Sequence, residues 1–285
     1  MMRKIIVEKN NKKIINYIKN EFHHVPESAL YKALRQKDIR INDVKISENV
    51  PVQIGDEITI FMKDEILNGK LMKLKEKAII YQDENIVIVN KPKGILVQGT
   101  KNDIGLEELV NQYFKTSSIV PCHRLDRNTS GLVIFAKNKE SESIILELFK
   151  NHEINKHYTC LVYGHPKQDT ATLKAYLFKD NKKNRVIISN EKKKGYVEII
   201  TKYTVLKKLS NNTSLLDVEL ITGKTHQIRA HLAFIGHPII GDGKYGINQI
   251  NKKMGKTWQE LESNRLCFKN AYGKLAYLKG KVFEL

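Results

Sequence analysis

Residues 122–135 read Cys122-His123-Arg124-Leu125-Asp126-Arg127-Asn128-Thr129-Ser130-Gly131-Leu132-Val133-Ile134-Phe135. One acidic residue stands between two arginines, a Thr-Ser-Gly turn follows, and the chain then enters an uninterrupted apolar run. A short continuous run of this kind fits a strand covered on both faces. Loops that feed rigid strands are where reactive groups tend to be mounted. Guanidinium groups on either side favour the charged form of a carboxylate, so Asp126 reads as an available anion and not as a proton donor. The alternative is a surface ion pair, which as a class is commoner than a nucleophile.

Working outward, Ile86-Val87-Ile88-Val89 is a second buried-strand run, ended by the turn Asn90-Lys91-Pro92-Lys93-Gly94. Ile104 to Phe114 and Ser143 to Phe149 have helical periodicity. Further strand candidates are Gly131 to Ala136, Tyr158 to Val162, Val186 to Ile188, Tyr196 to Ile200 and Leu215 to Leu220. Strands and helices mixed in this way predict an α/β or α+β domain of about 200 residues. Ahead of it, Ile14, Ile15, Ile18 and Phe22, then Leu30 and Leu34, recur at helical spacing. Ile39 to Asn42 and the stretch from Val50 to Ile60 supply strand candidates. The predicted organisation is a small α/β module at 1–62, a lysine-dense linker at 63–78 and a larger domain at 79–285.

The sequence has 49 Lys+Arg against 31 Asp+Glu, a net +18. Residues 1–65 hold 12 basic and 10 acidic residues, so only +2 of that belongs to them and +16 to the rest. Such an excess suits a polyanion, either nucleic acid or an anionic membrane surface. No stretch approaches the ~18 apolar residues of a membrane span. The opening apolar run is shorter than the roughly 7–15 residues a secretory signal needs. The basic runs lack the pattern of an amphipathic helix, so nucleic acid becomes the expected partner, with no membrane. Cys122, Cys160 and Cys267 stand at no short spacing, which excludes a disulfide scaffold and a Cys-built zinc site and fits the cytoplasm.

No dinucleotide or phosphate-loop glycine motif is present. His226, His231 and His237 are five and six residues apart, not the spacing of a helical metal pair, so no metal site is expected. Lys182, Lys183, Arg185, Lys192, Lys193 and Lys194 crowd the 179–194 segment, which reads either as a solvated loop or as a phosphate-contacting hairpin. It contains no aromatic residue for stacking on bases.

A second polar stretch runs Leu220-Ile221-Thr222-Gly223-Lys224-Thr225-His226-Gln227-Ile228-Arg229-Ala230-His231-Leu232, followed by Gly236 to Gly246. A helix read from Thr225 puts His226, Arg229 and Ala230 on related faces. Arg229 could then aim its fork at a carboxylate from another segment. Spacing alone does not say which.

Four ordered motifs resemble RNA pseudouridine synthases of the RluA type. They are Asp83 to Gly94, His123-Arg124-Leu125-Asp126 with Thr129-Ser130-Gly131, Lys156 to Gly164, and Gly223 to Tyr245. The resemblance covers roughly Ile79 to Gly246. Residues 1–62 resemble the alpha-L RNA-binding domain shared with a ribosomal small-subunit protein, through Ala29 to Asn42 and Val50 to Ile60. The implied fold is α+β, a mixed and mostly antiparallel central sheet behind that small domain. The implied reaction breaks the N-glycosidic bond of a uridine in RNA and rejoins the base through carbon, without cofactor or metal. The resemblance places the essential aspartate at Asp126, which attacks the sugar or removes a sugar proton. It places the base-stacking tyrosine at Tyr158 and the ion-pairing arginine at Arg229. Arg124 matches an arginine that inserts where the uridine leaves the stack, and His123, Lys224 and His226 are further RNA-contact candidates. Lys224 stands where the family usually has arginine. Ribosomal RNA of the large subunit is the expected substrate, with a tRNA substrate or a non-catalytic RNA-binding or ribosome-assembly role as the alternatives, and the enzyme is expected to act as a monomer.

Overall fold

The computed structural model describes residues 2–23, 25, 27–62, 73–100 and 103–285. Of the linker expected at 63–78, residues 63–72 lie outside the described residues. The chain divides into two units, Met1–Lys75 with Gln98–Ser117, and Glu76–Val97 with Ser118–Leu285.

The first unit holds β1 (Met2–Ile6), α1 (Ile14–Glu21), α2 (Glu27–Arg35), β2 (Ile39–Ile41), β3 (Val44–Ile46), β4 (Glu57–Phe61) and, from the later stretch, α3 (Leu106–Phe114). Its antiparallel sheet runs β1-β4-β2-β3. Ile14, Ile15, Ile18, Leu30, Ile39, Ile58 and Ile60 are wholly buried and form one core. Gln98–Ser117 falls with this unit although the sequence reading keeps it in the larger domain.

The second unit contains β5 (Ile79–Gln82), β6 (Ile86–Lys91), β7 (Val120–Pro121), β8 (Ser130–Ala136), α4 (Lys139–Lys150), β9 (Ile154–Tyr163), β10 (Thr170–Asp180), β11 (Arg185–Ser189), β12 (Val197–Leu209), β13 (Thr213–Leu220), α5 (Gln227–Phe234), α6 (Asn248–Lys253), β14 (Leu261–Phe268) and β15 (Val282–Glu284). One eleven-stranded sheet follows the order β11-β10-β12-β13-β9-β14-β8-β6-β5, with β7 on β8 and β15 on β14. Pairing among the described strands is antiparallel except for β14 against β8. The fold is therefore α+β on a mixed, mostly antiparallel sheet.

The runs at 86–89 and 132–136 pair as β6 and β8 towards the β5 end of this sheet and are fully buried. On one face α4 covers them with Ile144, Ile145 and Leu148. Asn138 caps that helix, its side chain accepting the Ser141 N–H at 3.0 Å. Further along the sheet, Ala230 of α5 packs with Ala175, Leu177, Val186 and Ile199.

Gly131 decides how β14 joins. Its φ is +113°, and a Cβ there would stand 2.2 Å from the Ser263 carbonyl oxygen. Only glycine gives that backbone and that clearance. β14 thereby lies against β8 and presents Ser263 across from Tyr158 on β9.

Candidate active site

Asp126 sits in the loop between β7 and β8, which is pinned from several sides. The Cys122 amide donates to Ile134 O at 2.9 Å, and the Ile134 amide donates back to His123 Nε2 at 3.1 Å. The Thr129 amide closes a turn on Asp126 O at 3.1 Å, and Gln259 Nε2 donates to Thr129 Oγ1 at 2.9 Å. From below, Lys91 Nζ donates to the carbonyls of Pro92, Ile95 and Arg127 at 3.0, 2.9 and 3.0 Å. Lys91 is wholly buried, and that burial pushes its ammonium down to about 7. The lysine ties the Asn90–Gly94 turn to the residue after Asp126. In the sequence Lys91 shows only as part of a turn, and its place at the end of a buried apolar run is the signal that points to an inward lysine.

Arg229 reaches Asp126 from α5. Its Nη1 donates to Asp126 Oδ2 at 2.7 Å. Its Nε and Nη2 donate to Asp242 Oδ2 and Oδ1 at 2.7 and 2.9 Å, a bidentate clamp on a carboxylate with no exposed surface. Asp242 also accepts the amides of Lys244 and Tyr245 at 2.8 and 3.0 Å. Burial works against the guanidinium charge, but Asp242 first and Asp126 next outweigh it and hold Arg229 above its ordinary value. The Asp126 pairing that spacing left open is thus present, and Asp242, unassigned in the sequence reading, fixes the fork that makes it.

The helix expected from Thr225 begins at Gln227. His226 precedes it in the left-handed region, φ +52°. Gln227 explains the start: its Oε1 accepts Thr222 Oγ1 at 2.9 Å and the Lys224 amide at 3.0 Å. Its Nε2 donates to Ile200 O and Thr201 Oγ1 at 3.1 and 3.0 Å. The first six residues of α5, Gln227 to Leu232, are all buried, so that stretch shows no exposed face against which a helical stripe could be read. His226 Nδ1 and Tyr245 Oη are 2.9 Å apart, and His226 Nε2 lies 3.9 Å from Asp126 Oδ2. The Tyr245 ring covers Arg229 with 5.3 Å from Cζ to its centroid.

Tyr158 is 5% exposed on β9. Burial, with the nearby Asp126 charge adding to it, raises its phenol above the usual 10, so the hydroxyl keeps its proton at neutral pH. Arg124 and Lys224 are exposed. His123 is turned inward: its Nε2 accepts from Ile134, its ring packs edge-on to Phe149 at 5.0 Å, and burial pushes it down to about 3. His231 and His237 point to Thr201 Oγ1 and Tyr163 O, each at 3.0 Å, away from His226.

A single cavity of about 760 Å³ is lined by Asp126, Tyr158 and Arg229 together with Arg124, His123, Lys224 and His226. All seven residues singled out in the sequence therefore meet at one place. Asp126 Oδ2 is held by Arg229, while Oδ1 carries no hydrogen bond among the described residues. What the arrangement offers is one oriented carboxylate oxygen inside a cationic pocket, beside a neutral buried phenol.

A family model described as RNA pseudouridylate synthase matches residues 85–234, the span that carries the loop, Tyr158 and Arg229. The chain belongs to this family. The synthase is 30% identical to a Rickettsia conorii protein named ribosomal large subunit pseudouridine synthase C, over 93% of this chain and 92% of that one. It is 32% identical to an uncharacterized RNA pseudouridine synthase of Mycoplasma capricolum, over 99% and 96%. The solved structure of human RNA pseudouridylate synthase domain containing 1 shares the fold, with TM-score 0.59 and 24% identity over 73% of this chain and 81% of that one. The synthase is an isomerase that converts uridine in RNA to pseudouridine. Among the described residues no helix is long and apolar enough to cross a membrane.

Proposed function

We propose that this synthase modifies uridines of large-subunit ribosomal RNA in the cytoplasm, with Asp126 as its catalytic carboxylate. The observation that carries the residue assignment is the 2.7 Å bond from Arg229 Nη1 to Asp126 Oδ2 inside the shared pocket. It leaves Oδ1 for the ribose of an extruded uridine, whose base then lies against the Tyr158 ring. Arg229 orients the carboxylate and offsets its charge. Exposed Arg124 is a planar cation placed to fill the stack that the uridine leaves. Lys224 and His226 contact the RNA around the pocket mouth, and His123 serves best as the anchor of the loop. Support for the ribosomal substrate comes from the relatives, several of which carry the large-subunit name. In the N-terminal unit, residues 1–62 are assigned to positioning the RNA.

Asp126→Asn keeps the shape of the side chain and removes its charge. The expected result is loss of pseudouridine formation with RNA affinity retained, measured by pseudouridine mapping and by binding to the same RNA. Full activity in that variant would remove Asp126 from the chemistry. Mapping pseudouridines in total RNA from cells with and without the gene names the target, and positions lost only from tRNA would overturn the ribosomal assignment.

A further inference from the structure

Lys156 is two residues before Tyr158 on β9, so both side chains leave the same face of the strand and both line the pocket. Its Nζ lies 4.9 Å over the Phe149 ring, which backs the ammonium with an aromatic face. In front of it stands Gly223, where a Cβ would come within 3.2 Å of Nζ. The missing side chain keeps that side of the ammonium open. Among the described residues no carboxylate pairs with Lys156. The nearest pocket carboxylate, Asp126, is bonded to Arg229. His123, edge-on to the same Phe149 ring, is neutral and spends its Nε2 on Ile134.

A partly desolvated cation without a counter-ion is unfavourable, and an anion brought by the ligand relieves it. Burial already lowers the Lys156 ammonium from its usual 10.5. The ligand of this pocket is RNA, on the reading given above, and its anions are backbone phosphates. We propose that Lys156, in the opening left by Gly223, binds a backbone phosphate of the RNA strand adjoining the target uridine. Arg124 and Lys224 are exposed cations in the same pocket, whereas Lys156 is a recessed one with a shaped approach. It therefore fixes one phosphate in a set place instead of adding to a diffuse field.

The test is the salt dependence of RNA binding by the full chain, using a large-subunit ribosomal RNA fragment that contains the mapped uridine. Lys156→Met keeps the stem and removes the charge. It is expected to weaken binding about tenfold and to lower the slope of log K against log salt by about 0.7–0.9, the share of one phosphate contact. Lys156→Arg is expected to restore the slope. Gly223→Val keeps every charge and crowds the opening; it is expected to lower affinity and slope in the same direction, and reads the subsite should Lys156→Met fold poorly. A folded Lys156→Met with unchanged affinity and slope overturns the proposal, as does a loss that Lys156→Arg leaves unrepaired. If wild type binds the RNA but forms no pseudouridine, the functional reading fails while the slope still decides the subsite. If wild type is active and the slopes coincide, the subsite alone fails.

Discussion

Arg229 has three donors committed to two carboxylates, and the division decides what Asp126 can do. Asp242 takes Nε and Nη2, so Arg229 grips Asp126 through Nη1 alone and leaves its second oxygen free. Sequence spacing could suggest an arginine fork but could not count its partners, because Asp242 is thirteen residues on and its contact is made by a turn. The Asp242 clamp also carries a pH signature. Burial alone would raise this carboxyl; the Arg229 bonds and charge outweigh it and hold it below the usual 3.8. Between the folded and unfolded values the unfolded chain binds more protons. Stability from Asp242 is thus fully present above that ordinary value and is lost as pH falls through the folded one. Asp242→Asn leaves Arg229 half paired in a buried site, a loss of about 3–5 kcal/mol for a broken buried pair. That corresponds to a Tm lower by on the order of 10 °C at neutral pH. The expected variant also shows a flatter acid limb in Tm measured from about pH 2 to 6. An acid limb as steep as wild type would separate Asp242 from that transition.

Among the elements, β8 and β14 set the site, and they differ in how far their sequences reveal them. β8 is an uninterrupted apolar run and is read at once. The alternation of β14 is broken by a register shift between Ser263 and Arg265, so Leu261 and Ser263 fall on one phase and Leu266 and Phe268 on the other. A bulge of that kind erases the period-two signal while the strand itself persists. β10 and β15 likewise have no clear signal in the sequence, and α5 begins two residues later than its periodicity predicts because Gln227 closes the preceding loop by side-chain bonds that no periodicity encodes. Gly131 links β8 to β14, and its replacement tests their joint importance. Gly131→Ala sets a methyl 2.2 Å from Ser263 O at a φ of +113°. Strain at such a backbone position is about 1–3 kcal/mol, with the steric clash added. The expected outcome is a lower Tm and a still larger fall in activity, since Ser263 faces Tyr158 across the β14–β9 pair. A variant with wild-type Tm and rate would show that β14 joins β8 without needing that clearance.

At the scale of the whole molecule the distribution of charge separates two contributions to RNA binding. Residues 1–65 carry +2 of the net +18, and the remaining 220 carry +16. Long-range attraction to phosphates scales with the cations that displace counterions, so most of it belongs to residues 66–285. A nearly neutral N-terminal module contributes affinity through shape and a few set contacts, which depend weakly on salt. Removing residues 1–62 is therefore expected to weaken binding to the cognate RNA by about tenfold while the slope against log salt changes by less than about 2. The loss should be greater for the cognate RNA than for an unrelated RNA of equal length, because set contacts discriminate and diffuse charge does not. The measurement is affinity for both RNAs across a salt series, with pseudouridine formation at each mapped uridine. A collapse of the slope would place the electrostatic contacts in the N-terminal module after all. Equal affinity and an unchanged target set would leave residues 1–62 without a part in positioning RNA.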